Sequence, residues 1–273
     1  MKLKVTAEKK VKIIFIILLI QVNFSSAQEF TRPVCYGGQR LFREFIQQEM
    51  IYPEEALLTK KEGTVELSFF VKPDGSTEGI EVTQSVSPEI DAEAVRLFRH
   101  ILWHPAKEMG KPVGYMHSIQ IRFKKKTYLR HQKNRNDQFS KFPHEPVDES
   151  FTIYDLGKTD RWPVPVFSAI DRNLNNFLNK NLVYPDAAYK QNISGTVKLR
   201  FVVETTGRIS NIEVVEPVGG GCTEEAIRVA QLINWYPGLK NNQAVRTFLP
   251  FEITFDIAGG KMGGVIPTPG QVQ

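Results

Sequence analysis

The chain carries one pattern twice. Tyr52-Pro53, Gly63-Thr64-Val65, Phe69, Val71, Gly75, Ile80-Glu81-Val82, Glu93-Ala94, Trp103, Pro105 and Phe123 form the first copy. Tyr184-Pro185, Gly195-Thr196-Val197, Phe201, Val203, Gly207, Ile212-Glu213-Val214, Glu225-Ala226, Trp235, Pro237 and Phe255 form the second. The offset is 132 residues from Tyr52 to Tyr184 and again from Phe123 to Phe255, so the copies align without a gap. Such a register marks an internal duplication, and the fold must be built from two copies of one unit. Each copy runs to about 85 residues, enough for a modest core of its own.

Periodicity gives the elements of that unit. Leu41, Phe42, Phe45, Ile46 and Met50 fall at helical spacing, and Leu174, Phe177, Leu178 and Leu182 repeat the last four. Pro53 and Pro185 each open a short helix. Val65, Leu67, Phe69 and Val71 alternate with polar residues, as do Val197, Leu199, Phe201 and Val203, which predicts a strand with one buried face. Lys72-Pro73-Asp74-Gly75 is a strong turn signal and Glu204-Thr205-Thr206-Gly207 a weaker one; each leads into a second strand and closes a hairpin. A helix is expected from about Ile90 to Ile101 and from Cys222 to Ile233, ended by Pro105 and Pro237. A last strand alternates through Val113, Tyr115, His117, Ile119, Ile121 and Phe123, and through Val245, Thr247, Leu249, Phe251, Ile253 and Phe255. The predicted class is α+β: two tandem repeats, each a small three-stranded antiparallel sheet with helices packed on one face.

The rest of the chain reads as flanks and a connection. A lysine-rich start, the apolar run Ile13–Ile20 and the small residues Ser25-Ser26-Ala27 match a secretory signal over residues 1–27. The run is shorter than the ~20 residues of a membrane-spanning helix. An uncleaved anchor is the competing reading. The first unit is expected over 28–123, a basic solvated linker over 124–165, the second unit over 166–257 and a disordered Gly- and Pro-rich tail over 258–273. Phe151–Tyr154 is read as a short extra strand. Cys35 and Cys222 lack counterparts in the other copy and are read as either a disulfide or two separate buried thiols.

Composition narrows the function. Hydrophobic content of 41% and charge of 24% are those of a globular protein. The net charge of +5 is carried largely by the N-terminus and linker, so nucleic-acid binding is not expected. His100 and His104 have the spacing of two ligands on a helix face, but Leu232 and Tyr236 replace them in the second copy and no third ligand is evident. Gly219-Gly220-Gly221 lacks the Lys-Ser/Thr that completes a phosphate loop. Glu81/Glu213 and Glu93/Glu225 read as surface or capping groups. No catalytic motif, metal site, cofactor or small-molecule substrate is expected.

The ordered set Tyr-Pro, Gly-Thr-Val with an alternating strand, Asp-Gly, a helix with Glu-Ala, Trp-x-Pro and a final strand ending in Phe resembles the C-terminal domain of TonB. The match runs over most of Gly37–Phe123 and Ile170–Phe255. The resemblance implies a periplasmic domain whose last strand is an exposed edge that pairs with an extended segment of an outer-membrane TonB-dependent transporter or another envelope protein, associated with energised transport. That is β-strand addition. The edge residues would be Val113, Tyr115, His117, Ile119 and Ile121 in the first unit, and Val245, Thr247, Leu249, Phe251 and Ile253 in the second. Packing of the two repeats edge to edge would instead leave no free site. The chain departs from the family pattern in lacking a long proline-rich spacer, which puts force transmission in doubt. A membrane-anchored transducer and a structural protein contacting peptidoglycan are the alternatives.

Overall fold

The computed structural model describes residues 30–139, 146–167, 170–257 and 261–266. The expected signal segment lies outside the described residues. The short strands β1 (Phe30–Thr31) and β2 (Val34–Cys35) precede helix α1 (Gly38–Glu49) and the single turn α2 (Glu54–Leu58). The hairpin β3 (Gly63–Val71) and β4 (Thr77–Gln84) follows, then α3 (Pro88–Arg99). Three short strands, β5 (Trp103–His104), β6 (Ala106–Glu108) and β7 (Lys111–Val113), lead into β8 (Tyr115–Phe123). Helix α4 (Lys125–Phe139) and the strands β9 (Ile153–Tyr154) and β10 (Val164–Val166) join the units. The second unit repeats the plan with α5 (Leu174–Asn181), α6 (Asp186–Lys190), β11 (Gly195–Val203), β12 (Ile209–Glu216) and α7 (Cys222–Ala230). It ends with β13 (Asn234–Tyr236), β14 (Gly238–Lys240), β15 (Gln243–Asp256) and β16 (Lys261–Val265).

Each unit has its own core. Val65, Leu67, Phe69 and Val71 of β3 are buried against Ile90, Ala94, Leu97 and Phe98 of α3. Val197, Leu199, Phe201 and Val203 meet Ala226, Val229 and Ala230 in the second unit. Burying each such Val, Leu or Phe contributes about 1.5–3 kcal/mol. Cys35 belongs to the first core and Cys222 to the second, and both thiols are free. Burial pushes the Cys35 thiol up to about 11.

The duplication extends to polar detail. Glu93 of α3 accepts the Ile51 N–H at 2.7 Å and pairs with Arg96, whose guanidinium also donates to the Glu49 carbonyl at 2.7 Å. Glu225 accepts the Val183 N–H at 2.7 Å and pairs with Arg228, which donates to the Asn181 carbonyl at 2.5 Å. In both units this brace closes the C-terminal end of the first helix, where helical carbonyls lack partners. Gly75 and Gly207 fill equivalent turns with φ of 84° and 79°; a Cβ there would lie 2.4 Å and 2.3 Å from the carbonyls of Trp103 and Trp235. Only glycine suits that backbone and that approach.

Three features differ from the reading of the sequence. The last strand of the first unit breaks at Gly114, so Val113 pairs with Ala106 in a separate small sheet. The start of the basic linker is α4, whose Tyr128 is buried 5.4 Å from the ring of Tyr52. The tail contributes β16, which pairs antiparallel with β15 from Glu252 to Asp256. The short extra strand expected at Phe151–Tyr154 is present as β9, which runs parallel to β15 at Arg246 and Thr247.

The units lock together through residues the repeat does not share. Asn211, with φ 49°, accepts the Leu102 N–H at 2.8 Å and donates to the His100 carbonyl at 2.9 Å, as a neighbouring strand would. Arg246 and Glu204 form a buried ion pair at 2.8 Å. Arg246 also donates to the carbonyls of His100 and Phe151, at 2.8 and 2.9 Å. Burial opposes the charge of Glu204, but Arg246, with His100 and the Ser210 hydroxyl, holds its carboxyl below the usual range. Arg208 donates to the Gln48 carbonyl at 2.7 Å and lies 3.5 Å from Glu49.

Candidate strand-acceptor groove

The last strands of the two units have different surroundings. β8 pairs with β3 on one side, and among the described residues no strand pairs with its other side. A groove of about 730 Å³ runs along that open edge. Phe42 and Ile46 of α1 with Met50 at its end form one wall, and Thr127, Tyr128 and His131 of α4 form the other. The groove exists because α4 packs against α1 rather than trailing into solvent. It is lined by Arg43, Arg122 and Lys124, and among the described residues no Asp or Glu lines it.

The five residues expected along the first edge divide by role. Val113 is outside it. Tyr115 opens β8 with its ring 5.2 Å from Phe30. The rings of Phe69 and Trp103 lie 5.7 and 5.5 Å from His117; burial lowers its pKa, and Arg32 adds to the shift. Ile119 and Ile121 send buried side chains into the core. Met116, Ser118, Gln120 and Arg122 are the exposed side chains of the strand. Sequence reading missed Arg43, on the wet side of α1, and missed Lys124 and Tyr128 because α4 looked like a charged linker. Its signal was Tyr128, an aromatic residue within a run of charge.

The second edge is largely taken. Val245 pairs with Gly238 of β14, Thr247 with Tyr154 of β9 and Ile253 with Gly264 of β16. Only the stretch around Leu249 and Phe251 lacks such a partner among the described residues, and both side chains are buried. The expectation that Val245–Ile253 presents one open edge is therefore corrected: the chain's own segments occupy it at Val245–Thr247 and from Glu252 onward, leaving 248–251. Among the described residues the repeats do not pair edge to edge through these strands either. They meet through the lock around Asn211, Arg246 and Glu204, through Arg208 with Gln48 and Glu49, and through Gln231 with Glu44.

Neither His100 nor His104 is placed for ligation. His100 Nδ1 lies 3.0 Å from the Arg96 carbonyl, and the His104 ring stacks 4.0 Å from Tyr36. Among the described residues no cluster of three or more His, Cys, Asp or Glu could hold a metal ion, and no helix is long and apolar enough to cross a membrane.

The family described as the Gram-negative bacterial TonB protein C-terminal matches residues 48–124 and 180–257, more than half of the chain. No curated protein and no solved structure matches it. Both matched segments coincide with the repeated sheet-and-helix unit, and family members act in envelope transport through contacts with outer-membrane transporters and other envelope proteins. The chain belongs to the TonB C-terminal domain family and carries two tandem copies of that domain.

Proposed function

We propose that the protein works in the periplasm, exported by its N-terminal signal, and holds an extended segment of an outer-membrane transporter or another envelope protein by strand addition. The open outer edge of β8 carries this reading. An unpaired edge in a sheet is a liability unless something covers it, and its main-chain groups supply affinity for any extended chain. The second unit then serves as a support, with its own edge closed by β9 and β16. No catalytic step is assigned.

The repeat supplies the control for a test. Gln120 on β8 corresponds to Glu252 on β15, which is paired with Val265. A photoreactive residue at Gln120 should crosslink in cells to the periplasmic segment of an outer-membrane transporter, and one at Glu252 should not. Equal crosslinking at both positions, or none at Gln120, would count against the proposal.

A further inference from the structure

The filled edge of the second unit records how a strand sits in this fold. β16 runs antiparallel to β15, with Gly264 opposite Ile253 and Lys261 opposite Asp256. A Cβ on Gly264 would come within 2.5 Å of Leu178 Cδ1 and 3.1 Å of Leu174 Cδ2. Helix α5 thus closes directly over the added strand. In the first unit the corresponding residues are Ile121 for Ile253, Phe42 for Leu174, Ile46 for Leu178 and Lys124 for Asp256. Phe42, Ile46, Ile121 and Lys124 all line the open groove.

The charge at this site is reversed between the units. In the second unit the backbone register puts Lys261 opposite Asp256, whereas the first has Lys124 at that place, and Arg43 and Arg122 line the same groove. None of these three cations is paired with a carboxylate among the described residues. A strand like β16 from a second copy would therefore place Lys261 against Lys124.

Resting on the strand-addition reading, we infer that the first unit's groove takes an acidic extended segment of an envelope protein. It runs antiparallel to β8, with a small residue opposite Ile121 and a carboxylate opposite Lys124. The added backbone completes the sheet, the small residue clears Phe42 and Ile46, and the carboxylate meets Lys124 in a groove lined by three cations.

The test follows the amide signals of β8 in the full chain by NMR during titration with synthetic peptides of residues 261–266. A peptide carrying Lys261→Glu should bind about fivefold tighter than the unaltered one, the size expected when an exposed repulsive pair becomes attractive. Adding Gly264→Val should weaken it by at least about tenfold, as overpacking does. The Lys124→Glu protein, altered at an exposed position, should reverse the charge preference. A nitroxide on the peptide N-terminus should broaden Phe123 and Lys124. Equal binding of both charges, preference for the unaltered peptide (the second-copy outcome), or broadening at Tyr115 instead would each overturn the inference. If no peptide shifts β8 while Gln120 still crosslinks to a transporter, the inference falls and strand addition stands; if Gln120 is also silent, both fall.

Discussion

Arg246 donates to the backbone carbonyl of His100 at 2.8 Å, across 146 positions of chain, while its remaining donors engage Glu204 and Phe151. The positions that correspond to Arg246 and Glu204 in the first unit are Gly114 and Lys72. The lock is thus particular to the second unit, and it fixes two copies of one fold as an asymmetric pair.

Arg246→Met should leave Glu204 buried and unpaired, costing about 3–5 kcal/mol. The double variant Arg246→Met with Glu204→Met should recover much of that loss, since no buried charge remains. Urea unfolding of the wild type, both single variants and the double variant checks this. Simple additivity of the two single losses would contradict it.

The brace at each first helix should matter in both units, but unequally. The Glu93 side chain is 8% exposed and Glu225 is 12%; Arg96 is 31% exposed and Arg228 is 47%. Glu93→Ala should cost about 1–3 kcal/mol and Glu225→Ala about 1 kcal/mol, from a lost charge-assisted bond to a backbone N–H. Thermal melts of the two variants measure the order directly.

Stability should fall as the pH drops below about 6.5. Burial lowers the pKa of His100 more than Glu204 raises it, and Arg246 adds to the lowering; burial also lowers His104 and His117. The unfolded chain then takes up protons near pH 6.5 that the folded chain refuses, so the contribution is complete above that pH and is lost below it. Urea midpoints at about pH 7.5 and about pH 5.5 should show a larger loss for the wild type than for His100→Leu, which copies the second unit's Leu232. An unchanged wild-type midpoint would contradict this.

Removing residues 258–273 should uncover β15 from Glu252 to Asp256 and give the second unit an open edge. The truncated chain should self-associate more, or bind a second strand, as measured by sedimentation and by peptide stoichiometry. A truncated chain that stays monomeric and binds one strand would mean that β16 does not close the edge.

The duplicated core was legible because packing imposes a period: Val65, Leu67, Phe69 and Val71 alternate, and their counterparts do so at a fixed offset. The tail strand was not. Lys261-Met262-Gly263-Gly264-Val265 has no alternation to read; backbone pairing and small size suit it to its place. Helix α4 hid within a run of charge, with Tyr128 as its buried contact. Glu204 read as a turn residue because its partner Arg246 is 42 positions away. Comparing the copies position by position held the clue: Lys72, Glu78, Gly79 and Gly114 become Glu204, Ser210, Asn211 and Arg246. Apart from Val113, which falls on β7, the edge residues lie on β8 and β15 as expected, but what covers a strand is decided by distant segments, which the strand's own sequence does not encode.

The central claim is that one edge is open and its duplicate closed. Amide hydrogen exchange of the full chain, read residue by residue by NMR, tests it without any ligand. Along β8 the amides facing β3 should be protected and the alternate ones should exchange rapidly. From Glu252 to Asp256 both sets should be protected. Slow exchange at every amide of β8, or rapid exchange at alternate amides of residues 252–256, would contradict the account.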